Sequence, residues 1–257
     1  MRAPVTNSRL FQSVVLIGLL MFSSAGVVVS QQPERSPSDT VREFYRAMRE
    51  KRFREAFDLS IYKAAIDGLK PQEYEDLRPD FDKMAAVIPV DVNITGEQIS
   101  GEAATVFVKV KEGDGPEQSE PVTLMRSAGV WVIGDKENLE VVKKAGKQFF
   151  FNARIDTHHD EVQAMLTRIS LAQLVYSQQH NGLFADLTTL IAAGLLPKDL
   201  EGVESTGYRF HINSLDAGKS WNAGAEPAQY GRSGKLSFYM DAAGVRSGDK
   251  NGKPLTP

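Results

Sequence analysis

The sequence predicts an α+β fold in two domains, and three features predict it. Apolar residues recur at helical spacing through residues 38–86, and the pattern changes to period two between 90 and 133. A second helix-then-strand order begins near 153. The expected organisation is a signal segment over 1–30, a linker over 31–37, and a first domain over 38–136. A connecting helix then covers 137–152 and a second domain 153–257.

In the first domain Ser38 or Asp39 can cap a helix whose stripe is Val41, Phe44, Tyr45 and Met48. Arg52-Phe-Arg-Glu-Ala-Phe-Asp-Leu59 continues in helical register, and Gly68 and Pro71 punctuate before a helix over roughly 72–86. Val92 and Ile94 open the strand region. There Thr105, Phe107 and Lys109 alternate with Val106, Val108 and Val110, as strands buried on at least one face require. Glu112-Gly-Asp-Gly-Pro116 is a hairpin turn, 121–126 the return strand, and Val130-Trp-Val-Ile133 the last strand after the turn at Ser127-Ala-Gly129. The expected result is a helical layer on a curved antiparallel sheet, a cone-like form.

The connecting helix would carry Leu139, Val142 and Phe149 on one side, with Gly146 weakening its middle. Phe149-Phe-Phe151 is far too short to span a bilayer, which takes about 20 apolar residues, so a packing contact between the domains is expected there. In the second domain Met165, Ile169, Ala172, Val175 and Tyr176 form a helical stripe. It should cover one face of a sheet containing Tyr208, Phe210, Phe238 and Met240.

At 257 residues the chain has room for two modest domains, and 42% hydrophobic with 25% charged residues is ordinary globular composition. A net charge of −3 gives no footprint for a polyanion, so nucleic acid is not an expected partner. There is no Cys, which excludes disulfides, thiolate metal sites and Cys nucleophiles together.

Arg2 and Arg9 flank a basic start, residues 14–22 are an apolar core of signal-peptide length, and Ser23-Ser-Ala-Gly26 interrupts it. Val28 and Ser30 suit cleavage before Gln31. An uncleaved anchor stays open, because 10–29 is almost long enough to span a bilayer. Either route sends the remainder out of the cytoplasm, to the periplasm or cell surface. Contact with a membrane is expected only through this segment.

Two resemblances add to this reading. Val41-Arg-Glu-Phe-Tyr-Arg-Ala-Met48, Phe53-Arg-Glu-Ala-Phe57 and Gly129-Val-Trp-Val-Ile133 give 38–136 a layout that resembles the nuclear-transport-factor-two-like superfamily, in particular its small secreted bacterial members. That resemblance implies a cone-shaped domain able to serve as enzyme, ligand binder or dimerisation module, a homodimer through this domain included. The order Tyr176-Ser-Gln-Gln-His-Asn-Gly182, Ala193-Gly-Leu-Leu-Pro197, Tyr208-Arg-Phe-His-Ile212, Pro227-Ala-Gln-Tyr-Gly231 and Ser237-Phe-Tyr-Met-Asp241 resembles the headgroups of type IV pilin-like and pseudopilin-like proteins. This second resemblance implies an association with envelope assemblies of the secretion or pilus type. Pilins carry a prepilin signature on an apolar stalk that feeds directly into the headgroup helix; here the first domain stands in that place, so polymerisation is not implied.

Candidate chemistry is thin. All four His lie in the second domain (His158, His159, His180 and His211), so the cone could offer only carboxylates such as Glu43, Asp58 and Asp91 with the hydroxyls of Tyr45 and Tyr62. Helix-surface solvation explains those charges more simply. His158-His-Asp-Glu161 contains metal-ligand types, but neighbours on a helix diverge by about 100° and no His-Glu-x-x-His motif occurs, so it reads as a charged first helical turn. Asp249-Lys-Asn-Gly252 echoes a calcium loop, with Asp241 as a distant second oxygen donor, yet no acidic residue follows Asp249 in the sequence. Ser233-Gly-Lys235 lacks the glycine spacing of a phosphate loop, and Ser170 sits mid-helix rather than on a nucleophile elbow.

The expected function is therefore that of an exported, non-enzymatic envelope protein. It would act by protein–protein contact or as an assembly accessory, with no catalytic residue, cofactor or metal assigned. The alternative is a small-ligand binder or enzyme using the cone.

Overall fold

The computed structural model describes residues 35–88, 92–111, 117–203 and 206–257. The expected signal segment, most of the linker, Asp91 and the turn at 112–116 lie outside the described residues. Residues 35–257 form one compact unit. It is α+β, with two four-stranded antiparallel sheets, each in simple sequential strand order.

Helix α1 (Pro37–Arg49) is capped by Ser36, whose side chain accepts from the Asp39 N–H at 3.1 Å. The cap thus falls two residues before the expected Ser38, because Pro37 fits the first helical position, where no N–H is needed. Ser38 instead donates through both its N–H and its hydroxyl to Glu97, tying α1 to the sheet. Helices α2 (Phe53–Asp58), α3 (Lys63–Ile66) and α4 (Pro71–Ala86) complete the helical layer.

Strands β1 (Asn93–Ser100), β2 (Ala103–Lys111), β3 (Glu117–Ser127) and β4 (Val130–Ile133) form the first sheet. Period two holds on β2: Ala104, Val106 and Val108 are buried and pack with Val41, Leu124 and Trp131 between α1 and the sheet. Pro121 is tolerated inside β3 because β4 pairs only with residues 124–127, leaving Pro121 without a neighbour on that side.

The connecting helix differs from expectation. Helix α5 (Lys136–Ala145) stops at Gly146, where φ +52° and ψ −136° define a backbone state open essentially to glycine. A single 3-10 turn follows, and helix α6 begins at Phe149 and runs unbroken to Gln179. The expected border at 152/153 therefore falls inside α6. Its buried residues Phe151, Ile155, Val162, Leu166, Ile169 and Gln173 follow spacings of three, four and seven, so one continuous face serves two cores.

The first turns of that face enter the core of the first half. Phe150 and Phe151 join Phe53, Phe57, Leu77 and Phe81 there, with Phe81 and Phe150 ring centroids 5.1 Å apart. Later turns cover the second sheet, built from β5 (Tyr208–Leu215), β6 (Ser220–Pro227), β7 (Leu236–Asp241) and β8 (Gly244–Asp249). Tyr208, Phe210, Phe238 and Met240 do share the face that packs on Val162, Leu166 and Ile169. Met165 and Tyr176 pack at its margin, whereas Val175 is 38% exposed, so the buried stripe is rotated from the one read in the sequence.

Helix α7 (Leu187–Ala192), capped by Asp186 through the Thr189 N–H at 2.8 Å, closes one end of this core. Gln173, fully buried, exchanges two hydrogen bonds with the Ala185 backbone (2.6 and 3.0 Å) and so pairs both polar groups of that buried peptide position.

Candidate functional site

Among the described residues, the side chains singled out for the cone do not converge. Glu43 pairs with Arg46 and Arg52 on the helical surface, and Asp58 pairs with Lys63 at 2.9 Å. Tyr62 packs edge-on against Phe57 and beside Phe149 and Phe150. Tyr45 is half-buried beside the cluster formed by α1 and the sheet; burial first, and the charge of Glu120 second, raise its phenol above the usual range.

The calcium echo dissolves for a topological reason. Asp249 pairs with Leu236 at one end of the β7–β8 hairpin, while Asp241 pairs with Gly244 at the other. Five residue steps put the two roughly 16 Å apart along the strands. Asp249 is occupied locally: it accepts from the Asn251 N–H and the Tyr230 hydroxyl, and the first of these leads in lowering its pKa. Among the described residues no group of three or more His, Asp or Glu is placed to hold a metal ion.

Reading His158 and His159 as a charged first turn is corrected by the true start of α6. The helix begins nine residues earlier, and the two imidazoles sit in its third turn, between Ile155 and Val162 on the buried face. There they grip the loop between β6 and β7. His158 Nδ1 donates to the Ser233 carbonyl at 2.7 Å, and His159 Nε2 accepts from the backbone N–H groups of both Lys235 and Leu236 at 3.3 Å. Desolvation leads in lowering the His159 pKa. Gly234 is obligatory in this loop, since a Cβ there would lie 2.1 Å from the Tyr208 hydroxyl. That hydroxyl donates to the Leu236 carbonyl at 2.9 Å.

The same loop carries Arg232, which spans the two halves. Its guanidinium bonds Glu73 of α4 at 2.9 Å and lies 4.1 Å over the Phe151 ring. Glu73, only 8% exposed, also accepts from Lys147 and from the Lys70 N–H. The Lys70 N–H leads the interactions that hold its carboxyl down to about 2. Arg154 of α6 adds ion pairs to Asp76 (3.0 Å) and Asp80 (2.7 Å). His180 and His211 stay apart from this seam, the first stacked on Tyr176 and the second beside Glu226.

A wider opening lies elsewhere, on another flank of α6. A cleft of about 550 Å³ runs between this helix and the β7–β8 turn, lined by Thr167, Ser170, Leu171, Leu174, Phe184, Trp221 and Val245, among others. Leu171, Leu174 and Val245 are 58%, 54% and 47% exposed, and Val175 continues the patch one turn along the helix. Ser170 thus belongs to a cleft wall, which it shares with Leu171 and Leu174 and with the polar Gln173 and Asp241. Sequence reading missed this site. Its signal was the surplus of apolar residues in Leu171-Ala-Gln-Leu-Val175, more than one buried face can use.

No described helix is long and apolar enough to cross a membrane. No protein family, curated protein or solved structure matches the chain.

Proposed function

We propose that this is an exported envelope protein whose C-terminal half works by protein–protein contact, as an accessory of a secretion or pilus type assembly. One observation carries the reading: an exposed apolar helix flank borders a cleft of mixed apolar and polar lining. Single exposed leucines are commonplace on protein surfaces. Leu171, Leu174 and Val175 instead lie within one helical turn or so of each other, beside Trp221, Phe184 and Val245. Water-facing apolar area grouped in this way marks interaction surfaces. Tryptophan and leucine beside a polar wall of Thr167 and Ser170 also match the composition of a binding patch with a wet rim. The envelope setting rests on the N-terminal export signal, and the assembly class on the likeness of 153–257 to pilin headgroups.

The paired variant Leu171→Glu/Leu174→Glu tests this. Both side chains are exposed, so fold stability should change by less than about 1 kcal/mol. Co-sedimentation of the chain with its envelope complex should be lost. Unchanged co-sedimentation by a folded double variant would contradict the reading.

A further inference from the structure

We propose that His159 is an acid-released latch: its protonation frees the loop between β6 and β7 and thereby loosens the tie that loop makes between the two halves of the molecule. The inference stands on the seam described above and does not depend on the docking surface.

The geometry sets opposite fates for two adjacent histidines. His158 uses an N–H to reach the Ser233 carbonyl, and a carbonyl can only accept; an imidazolium keeps that donor. His159 does the reverse. Its Nε2 is the acceptor for two backbone N–H groups, Lys235 and Leu236, so the proton of the neutral ring must sit on Nδ1. Protonating Nε2 turns that acceptor into a third donor aimed at two others. Both bonds are lost, and the N–H groups repel the new charge.

Other groups around the ring tune this without removing it. Asp156 and Asp160 on α6 favour the charged ring, while His158 and Lys235 oppose it. From the sheet, Tyr208 of β5 and Phe238 of β7 pack their rings edge-on against the half-buried His159. The Tyr208 hydroxyl is engaged with Leu236 and, driven up by burial, stays neutral in this range. Desolvation prevails, so the ring is harder to protonate folded than unfolded.

The stability contributed is complete above the unfolded value of 6.5 and declines as pH falls from there through the lowered folded value, because the unfolded chain takes up the proton first. The carboxylate on the other side of the seam does not itself titrate in that window: Glu73, which holds Arg232 and Lys147, stays ionised down to about 2. The histidine is thus the element that gives way in mild acid. What it releases is the segment on which Arg232 reaches Glu73 and Phe151.

Hydrogen exchange of the full chain, followed between pH 7.5 and 5.0 and corrected for the intrinsic rate, tests the latch. Protection of the Lys235 and Leu236 amides should fall by up to about tenfold for each pH unit below 6.5, the value of the released ring, until the folded ring itself titrates. His159→Gln should flatten that profile, since a glutamine carbonyl accepts but does not titrate; His158→Gln should keep the fall. Constant protection in the wild type, or an equal fall in His159→Gln, would overturn the proposal. Should His159→Gln fail to fold, the wild-type imidazole resonance decides. Its titration midpoint must mark the pH at which the fall in amide protection levels off, and a plateau elsewhere would overturn the latch.

Discussion

Ile169→Asp is expected to abolish cooperative folding of the C-terminal half. Ile169 has no exposed surface and lies at the centre of the α6 face that meets Tyr208, Phe210, Phe238 and Met240. Removing the aliphatic side chain alone costs about 2–5 kcal/mol. The carboxylate then sits among apolar neighbours without a partner, at a further cost of several kcal/mol or a raised pKa. The sum approaches the ~5–15 kcal/mol that holds a typical domain together. Denaturant unfolding monitored by near-ultraviolet circular dichroism would show no native baseline for this half, while Ile169→Val should cost only about 0.5–1.5 kcal/mol. A midpoint for Ile169→Asp within about 1 kcal/mol of wild type would mean that α6 does not lie on the sheet this way.

Phe151→Ala is expected to destabilise by about 3–5 kcal/mol and to weaken the connection between the halves at the same time. The ring is fully buried in the first core, beneath the guanidiniums of Arg232 (4.1 Å) and Arg154 (5.4 Å). Its loss opens a cavity and removes the face on which Arg232 rests before it reaches Glu73. Phe151→Leu should recover most of the packing but not the cation–π contact. Chemical denaturation of the three proteins checks the order wild type, Leu, Ala; equal midpoints for Phe151→Ala and wild type would show that the Phe151 ring contributes nothing to the first core.

Much of the architecture was legible because periodicity survives in the sequence. The α1 stripe, the alternation at Val106 and Val108, and the shared face of Tyr208, Phe210, Phe238 and Met240 are read directly from spacing. Strand β6 was not, since Ser-Trp-Asn-Ala-Gly-Ala-Glu-Pro alternates only weakly and its small residues are buried by the neighbours they admit. Gly224, for example, leaves room for His211, which would meet a Cβ at 2.2 Å.

The start of α6 was misplaced for a related reason. Its buried face passes through two polar histidines, so the periodic pattern looked interrupted between Ile155 and Val162 when it was in fact continuous. Extending the spacing back from Val162 would have set His158 and His159 on the inner face. Their partners remained invisible, since the loop at 229–236 is more than 70 residues away and recognition is through backbone groups that carry no sequence signal. The cleft beside Leu171 and Leu174 was hidden likewise, for periodicity tells how many faces are apolar but not which one the fold leaves uncovered.

The uncovered flank of α6 is proposed above as a protein-contact surface. Placing a photoactivatable amino acid at Leu174 in the native host, with an equal substitution at the exposed Val87 as the reference, tests it most directly. The expected result is a discrete adduct from position 174, containing one component of an envelope assembly, and none of comparable yield from position 87. Equal yields at the two positions, or no adduct at 174, would contradict it.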